Sequence, residues 1–165
     1  GRVPGTAAAI LLCAVAATPA AAQQKGKASF CASAQDLAAL NARVLQTELM
    51  VAALSCGERD RYNNFVTTYQ SVLTERGHSL QALFKRAHGA QGVRRMDAFV
   101  TKMANDSSQQ VRQRGAEYCA FAGDLFEEVL AARPADLNKL TSKPWIAGRH
   151  GYTPCVQEAS RKQAG

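Results

Sequence analysis

The chain has 165 residues and a formal net charge of +7, with 20 Lys and Arg residues against 13 Asp and Glu residues. Its length suits a single domain, and an apolar content of 47% excludes a fully disordered polyelectrolyte. These bulk properties do not by themselves predict a biochemical activity. The pattern along the chain predicts a location, an architecture and a distribution of charge.

Residues 1–22 have the order of a secretory signal peptide. Arg2 gives a basic start, an apolar run from Ala7 to Ala17 follows, and Pro19 precedes three alanines. We predict cleavage after Ala22, so that the mature protein is periplasmic or secreted. The apolar run is shorter than the roughly 20 residues that cross a bilayer, so we expect no transmembrane span. Lipidation at Cys13 is an alternative that the large residue before it disfavours.

Four cysteines remain once the signal is removed. Four cysteines in an exported chain predict two disulfides. A zinc site is the competing interpretation, but zinc ligands usually include close C-x-x-C pairs, which this chain lacks. The four residues are Cys31, Cys56, Cys119 and Cys155.

The mature chain divides into three parts. We expect a flexible leader over residues 23–33, a helical bundle over residues 34–133, and an irregular tail over residues 134–165 that is pinned by Cys155. In the bundle, apolar residues recur at helical spacing and predict helix one from Ala34 to Cys56. Ser33 or Asp36 can cap its start, and Gly57 is a natural stop.

A second apolar stripe predicts helix two from Glu58 to Ala87, with Gly77 as an interruption. The run from His88 to Gly92 holds two glycines in five residues and predicts a turn. A third stripe then extends from Val93 to Arg133, and Pro134 ends it.

The third stripe leaves two architectures open. It keeps its phase across Asn105 to Ser108, with Ser107 in the gap, but these four residues are weak helix formers and good caps. The fold class is therefore all-α, a disulfide-stapled antiparallel bundle of three long helices, the third either continuous or broken near Asn105. The unbroken phase favours the continuous helix.

The helix count decides the disulfide pairing. In a continuous third helix, Cys56 and Cys119 lie about 45–50 Å from the turn at about 1.5 Å per residue, which pairs Cys56 with Cys119 and Cys31 with Cys155. Reversal at Asn105 would instead favour Cys31 with Cys119 and Cys56 with Cys155. We predict the first pairing.

The tail carries weaker signals. One helical turn is predicted at Asp136 to Leu140, and an extended stretch begins at Pro144 and Trp145. A single Trp beside Pro is usually structural, so Trp145 and Ile146 are predicted to pack on a helix face.

No catalytic constellation is apparent. The histidines, His78, His88 and His150, lack metal-binding spacing, and neither a phosphate-binding nor a dinucleotide-binding glycine motif occurs. We therefore expect no metal, no cofactor and no enzymatic activity. A small periplasmic hydrolase, with a site between bundle and tail that uses His150, stays open as an alternative.

The charge pattern is the sharpest functional signal. Between Arg76 and Arg114 there are eight basic residues and two acidic ones, a balance of +6 that equals the whole excess left after the signal is removed. A basic helix–turn–helix tip predicts an anionic envelope component or an acidic protein as the partner. Nucleic acid is disfavoured because the protein is exported and no aromatic residues alternate with the basic ones. The candidate binding residues are Arg76, Lys85, Arg86, His88, Arg94, Arg95 and Lys102.

A simpler interpretation is that the basic turn is a solvated helix end, where cations favour the helix dipole. A third hypothesis is an inhibitor or immunity-type protein that blocks a toxin or lytic enzyme. The sequence does not predict an oligomeric state.

Two segments carry a family resemblance. Thr47 to Val66, TELMVAALSCGERDRYNNFV, and Met96 to Ala104, MDAFVTKMA, resemble small exported helical proteins of proteobacteria. The resemblance covers the helical region and implies an envelope or secreted location. It carries over no functional residue.

Overall fold

The computed structural model describes Gly1 and residues 30–155. The predicted signal peptide beyond Gly1, residues 23–29 of the leader and residues 156–165 of the tail lie outside the described residues. The all-α, disulfide-stapled bundle is confirmed. The helices are α1 Ala34–Cys56, α2 Arg59–Thr68, α3 Gln70–His88, α4 Gly92–Arg114, α5 Ala116–Ala131, α6 Leu137–Thr141 and α7 Pro144–His150, with 3₁₀ turns at Gly89–Gln91 and Pro134–Asp136.

Helix α1 is the centre of the fold and contacts each of the other six helices. It is long and apolar enough to cross a membrane, but most of that apolar stretch is buried inside the protein. Its composition is therefore that of a core helix. The predicted bounds of helix one are confirmed, and Ser33 is the N-cap, in a capping box with Asp36.

The segment predicted as helix two is bent at Tyr69, and Gly77 lies inside the unbroken α3. The backbone N–H of Tyr69 still donates to Phe65, and that of Leu73 to Tyr69. The chain bends there without reversing, since Tyr62 lies near Met50 of α1 and Leu80 lies near Ala39, so both α2 and α3 run antiparallel to α1. The Tyr69 hydroxyl donates to the Val129 carbonyl at 2.8 Å. This buried tether to the end of α5 accounts for the position of the bend.

The segment predicted as helix three breaks, but not near Asn105. Helix α4 passes through Asn105 to Ser108 without interruption and ends at Arg114. Gly115 follows with φ +52° and ψ −120°, a conformation that side-chain-bearing residues rarely adopt. The break therefore depends on this glycine rather than on the weak helix formers upstream.

Helix α5 runs parallel to α2, so the chain reverses at Gly115. Residue numbers rise together along the two helices: Cys56 is bonded to Cys119, Arg61 donates to the Gly123 carbonyl, and Tyr69 contacts Val129. A continuous helix antiparallel to helix two would show the opposite order.

Both predicted disulfides, Cys56–Cys119 and Cys31–Cys155, are present. The first forms even though the third helix is not continuous, because Cys119 lies only four residues beyond the corner at Gly115. Cys119 therefore still lies beside Cys56, where α1 ends and α2 begins.

The tail is more regular than predicted. Helix α6 lies close to the predicted turn, but the stretch from Pro144 expected to be extended is helix α7. Proline in the first turn of a helix is favourable because its missing N–H has no helical partner there. Ile146 is fully buried and half-buried Trp145 packs against the core, as predicted.

The last described residues return to the start of α1. The backbone N–H of Ala32 donates to the Thr153 carbonyl and that of Cys155 donates to the Ala32 carbonyl, both at 2.9 Å. Together with the Cys31–Cys155 bridge, these bonds fix residues 30–33 of the predicted leader beside residues 152–155.

The terminal disulfide gives a test of this closure. The Cys31→Ser/Cys155→Ser variant should lose about 4–5 kcal/mol of unfolding free energy, since the bridge closes a loop of 124 residues. Amide hydrogen exchange should locate the loss in α7 and residues 152–155, while α1 stays protected. Equal loss of protection in α1 and α7 would contradict the closure.

Candidate functional site

Five of the seven predicted binding residues lie at the junction of α3 and α4. Gly92 opens α4 so close to α3 that a Cβ there would lie 3.0 Å from the backbone of Lys85. The two helix ends are therefore held at a fixed, short separation. The basic tip, as we use the term, consists of Lys85, Arg86, His88, Arg94 and Arg95, all of them exposed.

One residue of the basic tip also has a structural role. Arg86 Nη2 donates to Asp36 Oδ1 at 2.6 Å, and only 6% of the Asp36 side chain is exposed. Burial opposes ionisation of Asp36, but hydrogen bonds from Arg86 and Ser33 outweigh it, so the pKa of Asp36 lies below its ordinary value. Arg86 thus joins the end of α3 to the start of α1.

Two predicted binding residues lie outside the basic tip. Arg76 is half-buried, nine residues before Lys85, and its Nη2 donates to Asn138 Oδ1 of α6 at 3.1 Å. Lys102 lies seven residues beyond Arg95 and pairs with Asp106 at 2.6 Å. At about 1.5 Å per helical residue, Arg76 and Lys102 lie about 10–14 Å along their helices from the basic tip.

The other cations of the basic tip have no anionic partner among the described residues. Lys85, Arg94 and Arg95 form no ion pair there, and Arg94 donates only to the neutral Gln91. An apolar groove of about 460 Å³ adjoins them, formed by residues that include Phe84 and Met96. Val93 borders it and is 72% exposed. The end of the bundle combines unpaired positive charge with exposed apolar surface.

A second concave surface, which was not predicted, lies between α4, α5 and α7. It has a volume of about 620 Å³, within the range of small-molecule sites. We call it the α4–α5–α7 cleft. Its lining residues are Glu48, Asp106, Gln109, Gln110, Arg114, Tyr118, Phe121, Trp145 and Arg149.

A buried ionic network forms the floor of the cleft. Glu48 is 2% exposed, and its Oε2 accepts from the Ser107 hydroxyl at 2.6 Å and from Arg149 Nη1 at 3.0 Å. Arg149 Nη2 also donates to Ser107 Oγ at 2.9 Å. The network joins α1, α4 and α7, so it anchors the tail helix to the bundle.

One donor at this floor, Arg149 Nε, is buried without a hydrogen-bond partner among the described residues. Such groups are rare because an unpaired buried donor is costly. The Tyr118 hydroxyl faces Glu48: burial, and then the charge and hydrogen bond of that carboxylate, raise the pKa of Tyr118 above its ordinary value, so the hydroxyl remains neutral. Arg149 Nε can therefore serve an additional acceptor oxygen.

Two residues of this network, Glu48 and Ser107, are recognisable in the sequence as polar residues at apolar positions. Glu48 falls among Leu45, Leu49 and Ala52 on the apolar stripe of α1, and Ser107 occupies a gap in the stripe of α4. A polar residue on a buried helix face needs a partner. Neither exception identifies its partner in the sequence, and Arg149 has no comparable signal because the stretch from Pro144 is predicted to be extended.

His150, the residue named in the hydrolase alternative, is held by contacts on both sides of its ring. It is 8% exposed, its Nδ1 accepts from the backbone N–H of Tyr152 at 3.0 Å, and its Nε2 lies 3.1 Å from Asn41 Oδ1. These contacts fit a neutral imidazole that donates from Nε2 to Asn41. They join α7 and the residues after it to α1.

Within residues 30–155, no three His, Cys, Asp or Glu side chains are grouped to hold a metal ion. In comparisons with known proteins, the chain matches no family model, no curated protein and no solved structure. The resemblance to exported proteobacterial proteins therefore stays a prediction.

The ionic floor predicts strong coupling between α1 and α7. Glu48→Gln should lower the free energy of unfolding by about 3 kcal/mol, because it leaves a largely buried guanidinium without its counter-ion. Asp106→Asn, which removes the partner of exposed Lys102, should cost less than about 1 kcal/mol. A double-mutant cycle with Glu48→Leu and Arg149→Leu in urea denaturation should give a coupling of at least about 1 kcal/mol. Additive effects would contradict the network.

His150 predicts a pH dependence. Burial lowers its pKa in the folded state below the ordinary value of 6.5, so the unfolded chain takes up the proton first as the pH falls. Stability should be greatest above pH 6.5 and decline as the pH drops through the folded-state pKa. The pKa of Asp36 is lowered from its ordinary value of 3.8, so the stability that its carboxylate contributes is lost only at pH values below 3.8.

Urea denaturation at several pH values between 7.5 and 5 would measure this decline. The His150→Gln variant should show a shallower decline, whereas His78→Gln, a change at an exposed histidine, should match the unmodified protein. Identical slopes for all three proteins would exclude the proposed contribution of His150.

Proposed function

We propose that this protein is an exported helical binding protein whose basic tip contacts an anionic surface of the bacterial envelope. The observation that carries the proposal is the group of three exposed cations, Lys85, Arg94 and Arg95, that have no anionic partner among the described residues. Cations without a partner in the same protein are free to pair with another molecule.

The arrangement of the tip favours a lipid surface as the partner. Lys85 lines the apolar groove of Phe84 and Met96 together with the exposed Val93, and Arg94 and Arg95 follow Val93 in α4. An anionic bilayer offers phosphate groups above acyl chains, so one contact can satisfy both features. Each Lys or Arg near such a surface contributes about 1 kcal/mol.

Export is supported by two observations. The predicted signal peptide precedes the domain, and both disulfides are of the kind that persists in oxidising compartments. An inhibitor of a toxin or lytic enzyme would use the same basic tip against an acidic protein. Binding to an acidic polymer, measured below, tests this alternative separately.

Charge reversal at the basic tip tests the proposal. Binding of the full chain would be measured by co-sedimentation with vesicles of phosphatidylcholine, with and without one-third phosphatidylglycerol, at low and high salt. The Lys85→Glu/Arg94→Glu/Arg95→Glu variant should bind the anionic vesicles at least about a hundredfold more weakly. Binding of the unmodified protein should weaken as salt is added, because exposed charges are screened.

A matched variant separates the tip from net charge. Arg59→Glu/Arg112→Glu/Lys139→Glu changes the same number of exposed cations elsewhere and should retain most of the binding. If both variants lost vesicle binding equally, net charge alone would explain the binding, and the proposal would be overturned. Tip-dependent binding to polyglutamate beads in place of vesicles would instead favour an acidic protein as the partner.

A further inference from the structure

We infer that the α4–α5–α7 cleft is a second binding site and that its ligand is an uncharged saccharide. The cleft is separate from the basic tip, since their lining residues do not overlap. The inference rests on the aromatic wall, the charge balance, the free amides and the floor of the cleft.

The wall is aromatic. Phe121 and Trp145 are both half-buried and meet edge to face with ring centroids 5.6 Å apart. The Arg114 guanidinium lies over one face of Phe121, 5.7 Å from its centroid, so Trp145 is the ring on which a ligand would stack. Aromatic rings at the edge of solvent offer apolar area beside polar groups. This surface suits the C–H face of a pyranose ring.

The lining charges are balanced and already paired. Arg149 pairs with Glu48, Lys102 pairs with Asp106 at 2.6 Å, and Arg114 pairs with Glu117 at 2.9 Å. A charged ligand would have to displace one of these partners to gain an ion pair. An uncharged ligand meets no such cost.

Two amides are available for hydrogen bonding. Gln109 and Gln110 line the cleft, and neither side chain forms a hydrogen bond with another described residue. An amide both donates and accepts, so the pair can bind adjacent hydroxyl groups, each of which also donates and accepts. A rigid hydrocarbon would leave these groups unused.

The floor adds a donor that lacks an acceptor. Arg149 Nε is buried there without a partner among the described residues. A saccharide hydroxyl or ring oxygen that reaches this depth can accept from it. The cleft therefore offers stacking at its wall and hydrogen bonds at its floor, with no net charge.

The chain contains its own reporter for a binding experiment. Trp145 is the only tryptophan, so intrinsic fluorescence of the oxidised full chain monitors the cleft directly. The probes are maltotetraose and N-acetylglucosamine tetrasaccharide, with a galacturonate tetrasaccharide as the charged comparison. At least one neutral probe should shift the emission saturably, with Kd of about 1 mM or tighter, and the acidic probe should bind more weakly.

Paired variants complete the test. Gln109→Ala/Gln110→Ala should weaken neutral-saccharide binding by at least about tenfold, while Gln70→Ala/Gln113→Ala, two exposed glutamines outside the cleft, should not change it. The basic-tip variant should retain saccharide binding. Absence of saturation with both neutral probes, preference for the acidic probe, or equal affinity of the Gln109/Gln110 variant would each overturn the inference.

Discussion

The burial of most of α1 is the constraint on which the rest of the structure depends. Because all six other helices contact it, each buried polar group that α1 carries must find its partner inside the protein. Asp36 finds Arg86 at the end of α3, and Glu48 finds Ser107 and Arg149. These contacts set where α3, α4 and α7 can lie along the central helix.

The same constraint explains how a short tail becomes part of the fold. Helix α7 has only seven residues, too few to be stable alone. Ile146 buries an apolar side chain, Arg149 satisfies Glu48, and the Cys31–Cys155 bridge prevents the segment from leaving. The α4–α5–α7 cleft exists because this helix closes one of its sides.

Apolar periodicity, capping residues and glycines predicted the helix boundaries correctly where no long-range contact changes the path of the chain. The bounds of α1 followed from its stripe and its cap, and the turn at Gly89 followed from glycine content. The bend at Tyr69 was not predictable, because it depends on a hydrogen bond to α5 and leaves the apolar phase unchanged. The reversal at Gly115 was missed because apolar positions continue on both sides of it. The cleft depends on contacts between residues as distant as Glu48 and Arg149, which no local pattern records.

The bonds between residues 30–33 and 152–155 bring the two ends of the described domain together, and they do so at a particular place. Tyr152 packs against Phe84 with ring centroids 6.0 Å apart, and Phe84 lies 5.7 Å from the His88 ring of the basic tip. The chain thus enters and leaves the domain beside the basic tip. A fused protein joined directly at Phe30 or Cys155 would lie next to this surface and restrict access to it, whereas attachment at the exposed surface near Gly115 would leave it accessible.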